Sequence, residues 1–163
     1  MKRLTKIILV LILAFILFAI GYFIYLVASF SPGTLGGFEP FKLEAKKEKV
    51  EYLMDSIFFN QIDSTYQVPK KWKHIDDWEK RGYGFLDTKI LYFNTSPEEM
   101  YYVSFLGDSL KWAKDNYTEV AIRAVGTSKG WKTEQAFEKK EKNRIQLRFQ
   151  NQIVEPIKEA IKN

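Results

Sequence analysis

Thr88–Leu106 reads TKILYFNTSPEEMYYVSFL. Two runs rich in aromatic and β-branched residues, Thr88–Phe93 and Met100–Leu106, flank NTSPEE, whose Asn, Ser and Pro suit a hairpin loop. A third strand is expected at Thr118–Val125, where Val120, Ile122 and Ala124 alternate with Glu119, Ala121 and Arg123. The three runs predict an antiparallel meander.

Helices are expected on either side of it. Upstream, Leu43–Phe59 carries Val50, Leu53, Met54, Ile57 and Phe58 at i, i+3, i+4, i+7 and i+8, a single apolar stripe. Downstream, Ile145, Phe149, Ile153, Ile157 and Ile161 recur every four residues, with Leu147 and Val154 widening the stripe. Pro156 is expected to kink or divide that helix, because it lacks an amide donor. Between the first helix and the hairpin, YQVPKKWKHIDDWEKRGYGF is punctuated by Pro69, Gly82 and Gly84 and reads as loops with a short helical turn. The expected class is α+β over residues 43–163: helix, three-stranded antiparallel meander, C-terminal helix, with the helices packed on one face of the sheet.

Further out, Ile7–Ala28 contains no charged residue. As a helix this run is roughly 33 Å long, enough to cross a bilayer's hydrocarbon core. It reads as an N-terminal transmembrane signal anchor, longer than the apolar region of a cleavable signal peptide, although Val27-Ala28-Ser29 offers a small-residue cleavage site. Lys2, Arg3 and Lys6 precede it, whereas Ser29–Phe41 holds no Lys or Arg. The charge asymmetry predicts residues 1–6 in the cytoplasm and the domain in the periplasm or cell exterior. Residues 29–42, containing SPGTLGGFEP, are expected to form a short linker.

Three of the 25 basic residues lie in the anchor's flank, leaving 22 against 20 acidic residues in the exported part. So small an excess, in such a compartment, argues against nucleic acid. The absence of cysteine removes disulfides and a lipoprotein signal and leaves stability to the hydrophobic core.

Gly107-Asp108-Ser109-Leu110 resembles the nucleophile block of the GDSL hydrolases over these four residues. That resemblance implies a serine nucleophile at Ser109 and a histidine near the end of the chain. The sole histidine, His74, lies upstream, and a serine without its base is not activated at neutral pH. A turn closing the preceding strand is the expected role of Gly107 and Asp108. In layout, a hydrophobic helix before a small α+β head is similar to type IV pilins, but the glycine of their processing site and the glutamate within the helix are missing. Single-span partners of proton-driven membrane motors are similar in size, but Ile7–Ala28 has no carboxylate to carry protons.

His74 beside Asp76 and Asp77 lacks a metal-ligand spacing, and GTSKG (Gly126–Gly130) does not match the phosphate-loop pattern. Neither a metal nor a cofactor is expected. The Lys129–Arg148 run, with seven basic residues against three acidic ones, reads as a solvated helix face or as a surface for anionic headgroups. Aromatic residues are the remaining signal, because Tyr and Trp are favoured at contact surfaces. Tyr92, Tyr101, Tyr102, Trp112 and Trp131 form the candidate contact surface, centred on a sheet face left open by the helices.

The functional expectation is therefore a single-pass membrane protein, held to lipid by residues 7–28, whose exported domain binds a protein partner in the cell envelope. Such a protein would be an accessory subunit or an immunity-type factor rather than an enzyme. Envelope glycan or peptidoglycan binding is the alternative, with a tethered serine hydrolase behind it.

Overall fold

The computed structural model describes residues 15–22, 37–60, 66–75, 80 and 87–163. The chain divides into two units, Met1–Leu35 and Gly36–Asn163. In the first, residues 15–22 are helical, with exposed apolar side chains such as Phe15 and Phe18. The rest of the expected span over residues 7–28 lies outside the described residues. Among the described residues no helix is long and apolar enough to cross a membrane.

The second unit is α+β, built on an antiparallel sheet. Its strands are β1 (Phe41–Leu43), β2 (Thr88–Phe93), β3 (Glu99–Leu106), β4 (Thr118–Thr127) and β5 (Gly130–Lys132). Its α-helices are α1 (Lys47–Met54), α2 (Ser109–Lys114), α3 (Lys139–Phe149) and α4 (Glu155–Lys162). The sheet runs β1-β4-β3-β2, with β5 also paired to β4. The expected meander is its centre: β2 pairs with β3 from Thr88↔Ser104 to Phe93↔Glu99, and β3 pairs with β4.

Among the described residues the sheet has five strands rather than three. β1 and β5 are three residues each, too short to show an alternation in sequence. β1 also corrects the linker boundary. Phe41–Leu43 is a strand on β4, and Phe38, 5% exposed, donates its amide to the Ile122 carbonyl (3.0 Å). Because β1 takes Leu43, the first helix starts at Lys47 and ends in a π-helical turn, Asp55–Phe59.

The stripes pack as their periods require. Val50, Met54 and Phe58 from the first helix meet Ile145, Phe149, Ile153, Val154 and Ile157 over Leu91, Phe93, Tyr101, Val103, Phe105, Val120 and Ile122 of the sheet. Leu147 departs from the expected stripe and is 56% exposed. The C-terminal helix does not break at Pro156: it runs on through a π-helical turn, Gln150–Val154, where the Glu155 amide reaches back to the Gln150 carbonyl, and Pro156 follows directly after that turn.

The second face of the sheet is not open. Trp72, Tyr92 and Met100 form a second buried cluster, with Val68, Ile90 and Trp131 packed against it. β3 is buried from Glu99 to Phe105, on both faces, and MYYV is the unbroken apolar run that double burial produces. A bulge lies in β4: Tyr102 faces Ala124 and Val103 faces Ile122, which leaves Arg123 as the extra residue. Its Nε donates to Ser104 Oγ (2.6 Å), and burial lowers the guanidinium's affinity for its proton.

Candidate binding cleft

A cleft of about 270 Å³ opens beside the second cluster, lined by Lys71, Trp72, His74, Glu98, Thr127 and Ser128. Three separate chain segments build it. The first is a 3₁₀ turn, Lys70–Ile75, begun by Pro69, whose carbonyl accepts the Trp72 amide (2.9 Å). The fixed φ of Pro69 suits the start of a helical turn. The Trp72 ring is thereby held against Tyr92 (6.2 Å between centroids), and Lys71 and His74 are left exposed.

The second segment is the turn between β4 and β5. Gly130 has φ +102°, a conformation that side chains with a Cβ rarely adopt. Thr127 Oγ1 accepts from the Lys129 amide (3.2 Å) and donates to the Gly130 carbonyl (3.3 Å), so its hydroxyl holds the turn and Ser128 stands at the cleft. Glu98, just before β3, is the third contribution. Its Oε1 accepts from Trp72 Nε1 (3.2 Å), from the Tyr92 hydroxyl and from Lys71. The hydrogen bond from Lys71, then that from Tyr92, holds the Glu98 carboxyl below its ordinary pKa. In turn Glu98 raises that of Lys71.

Thus His74 and the GTSKG loop, more than fifty residues apart in sequence, lie on one cleft. Glu98 carried no signal of its own, being one half of a Glu-Glu pair in a loop. Its neighbour Glu99 takes a different route. Glu99 is 3% exposed and receives both Arg144 nitrogens (2.6 and 2.9 Å), Arg148 Nη1 (2.9 Å) and the Tyr101 hydroxyl (3.2 Å). Arg148 also donates to the Pro97 carbonyl (2.8 Å) and Thr95 Oγ1 (2.9 Å) and stacks over Phe93 (5.4 Å). Burial, then the charge of Glu99, pushes the Tyr101 phenol far above its usual range and keeps it a neutral donor. This network fastens α3 to the hairpin loop.

The five aromatics of the expected contact surface are not one exposed face. Tyr101 is fully buried in the main core, and Tyr92 (8% exposed) and Tyr102 (3%) are buried on the other side. Tyr101 and Tyr102 do point to opposite faces, as strand alternation requires. The correction lies in the cover over the second face, which sequence periodicity does not show. Trp131 is half-buried edge-on to Tyr102, and Trp112 is half-buried, donating Nε1 to the Leu106 carbonyl (3.2 Å) under Lys47.

The GDSL string is a strand exit and helix start. Gly107 has φ +126°, and Asp108 caps α2 by accepting the Lys111 amide on Oδ1 (2.8 Å). Ser109 is exposed and does not line the cleft. Asp108→Ala is expected to cost about 1 kcal/mol, with Ser109→Ala near neutral, in urea unfolding of the two variants side by side.

Within Lys129–Arg148, Lys142 pairs with Glu134 (2.9 Å) and both arginines with Glu99, while Lys129, Lys132, Lys139 and Lys140 are exposed. Among the described residues no group of three or more His, Cys, Asp or Glu is placed to hold a metal ion. In comparison with known proteins, no family model, no curated protein and no solved structure matches the chain. The fold and the cleft are therefore the basis for assigning a role.

Proposed function

We propose that the chain is a single-pass membrane protein whose exported α+β domain is a binding module, and that the Trp72 cleft receives a small polar group of an envelope component. One observation carries this reading. An aromatic floor, a cation, a carboxylate, an imidazole and a hydroxyl converge from three chain segments on a cleft of about 270 Å³. That mixture suits ligand pockets, in which an apolar wall supplies area and a few polar groups fix orientation. The volume fits the end of a chain or one substituent rather than a large ligand. The charge-free run Ile7–Ala28, with its basic flank, supports the anchor and the outward placement of the domain.

The test is a photo-cross-linking residue at Ser128 of the full chain in its native membranes, with the same residue at Lys114 as control. A discrete adduct confined to position 128 is expected. Identical patterns at both positions, or no adduct at either, would overturn the assignment of the cleft.

A protein partner in the envelope is the second reading. Tyr52, Leu110 and Leu147, at 70%, 80% and 56% exposure, are the large apolar side chains of the domain through which such a partner would be tested. On this reading a companion co-purifies stoichiometrically from native membranes in mild detergent, and the Leu110→Ser and Tyr52→Ser variants lose it.

A further inference from the structure

We infer that the group received by the cleft is a phosphate-type oxyanion, an assignment that rests on the cleft being a binding site at all. The argument is a count of committed and uncommitted hydrogen-bonding groups. Glu98 is the carboxylate of the lining; its Oε1 already accepts from Lys71, Trp72 and Tyr92, and its Oε2 has no partner among the described residues. The Thr127 hydroxyl is used within its own turn. Left over are the Ser128 hydroxyl, the His74 ring and the remaining ammonium protons of Lys71, whose side chain is 62% exposed. Each of these can donate to an anion, Lys71 as a cation and the other two as groups that also accept.

Lys70 and Lys73 are exposed on the 3₁₀ turn with Lys71, and Lys129 is exposed beside Ser128. Asp76, Asp77 and Glu79, which follow the turn in sequence, lie outside the described residues. A lysine acts on a phosphate as a mobile point charge, which suits a group at the mouth of the cleft, and a hydroxyl supplies the directional contact. The charge of Glu98 is paired with Lys71 through Oε1, which also accepts from Trp72 and Tyr92 and so keeps the Trp72 ring in place as the floor.

Because His74 is the sole histidine, its ring resonances report on the cleft without assignment of the rest of the chain. The full chain in phosphatidylcholine nanodiscs is titrated with inorganic phosphate and with glycerol 3-phosphate at constant ionic strength, and His74 is followed by NMR. A saturable shift is expected. Lys71→Gln and Ser128→Ala should each weaken it about tenfold, the loss of one hydrogen bond to a charged group, without changing the unfolding midpoint of the domain.

Nanodiscs containing phosphatidylglycerol separate the sources. If the shift is present before phosphate is added, the oxyanion comes from a lipid headgroup; if added phosphate is still required, it comes from a soluble or polymer-borne ester. Either result supports the assignment. Equal shifts from acetate and phosphate, or a linear drift that sulfate and chloride reproduce, would overturn it. If neutral glycan fragments saturate the His74 shift and phosphate does not, the oxyanion is wrong and the binding cleft stands. If neither does and Ser128 gives no adduct, both fall.

Discussion

Phe149→Ala should lower the unfolding free energy of the domain by about 4 kcal/mol, the usual cost of deleting a large aromatic ring from a packed interior. Phe149 is fully buried at the end of α3 and touches Phe41 of β1 (5.6 Å) and Tyr101 of β3 (6.4 Å). The cavity would open between helix, edge strand and central strand, where rigid backbone on three sides resists collapse. Phe149→Leu, which keeps most of the volume, should cost far less. Urea unfolding of the two variants checks the contrast; equal losses would mean that the ring is not packed as described.

Glu99→Ala should cost about 3 kcal/mol, because removing one member of a buried ion network strands the others. Glu99 satisfies Arg148, whose side chain is 10% exposed, and Arg144, which is 32% exposed. The estimate sits at the lower end of the range because Arg144 turns toward solvent and Arg148 retains the loop acceptors at Thr95 and Pro97. Combining Glu99→Ala with Arg148→Met is the decisive measurement. A double mutant markedly more stable than the two single losses predict would show that the carboxylate and guanidinium are coupled. Additivity within about 0.5 kcal/mol would show that they are not.

The central meander and both helical stripes were legible because each is long enough to repeat its period. Val50, Met54, Phe58, Ile145, Phe149, Ile153 and Ile157 are core residues at the positions the spacing gave. β1 and β5 were not legible, since three residues show no alternation. The second face was misread for a related reason. An irregular segment such as VPKKW has no period to reveal that its Val68 and Trp72 cover a sheet. Of the cleft, His74 and the GTSKG loop were visible as chemistry and invisible as neighbours, because only the fold brings the β4–β5 turn beside the 3₁₀ turn. The aromatic surface failed for the reason that makes aromatics useful in cores. Large flat rings remove the most area from water, and a domain without disulfides places them inside.

The short strand β1 also determines how the domain answers a pull. Any tension arriving along the chain from residues before Gly37 enters through the Phe38–Ile122 hydrogen bond and the three-residue pairing of Phe41–Leu43 with Thr118–Val120. The Gln146 side chain adds a third tie, donating to the Glu39 carbonyl (2.7 Å). In single-molecule pulling on residue 37 and the C-terminus, β1 is expected to peel first, withdrawing Phe38 and Leu43 from the core while the longer β2-β3-β4 pairings hold.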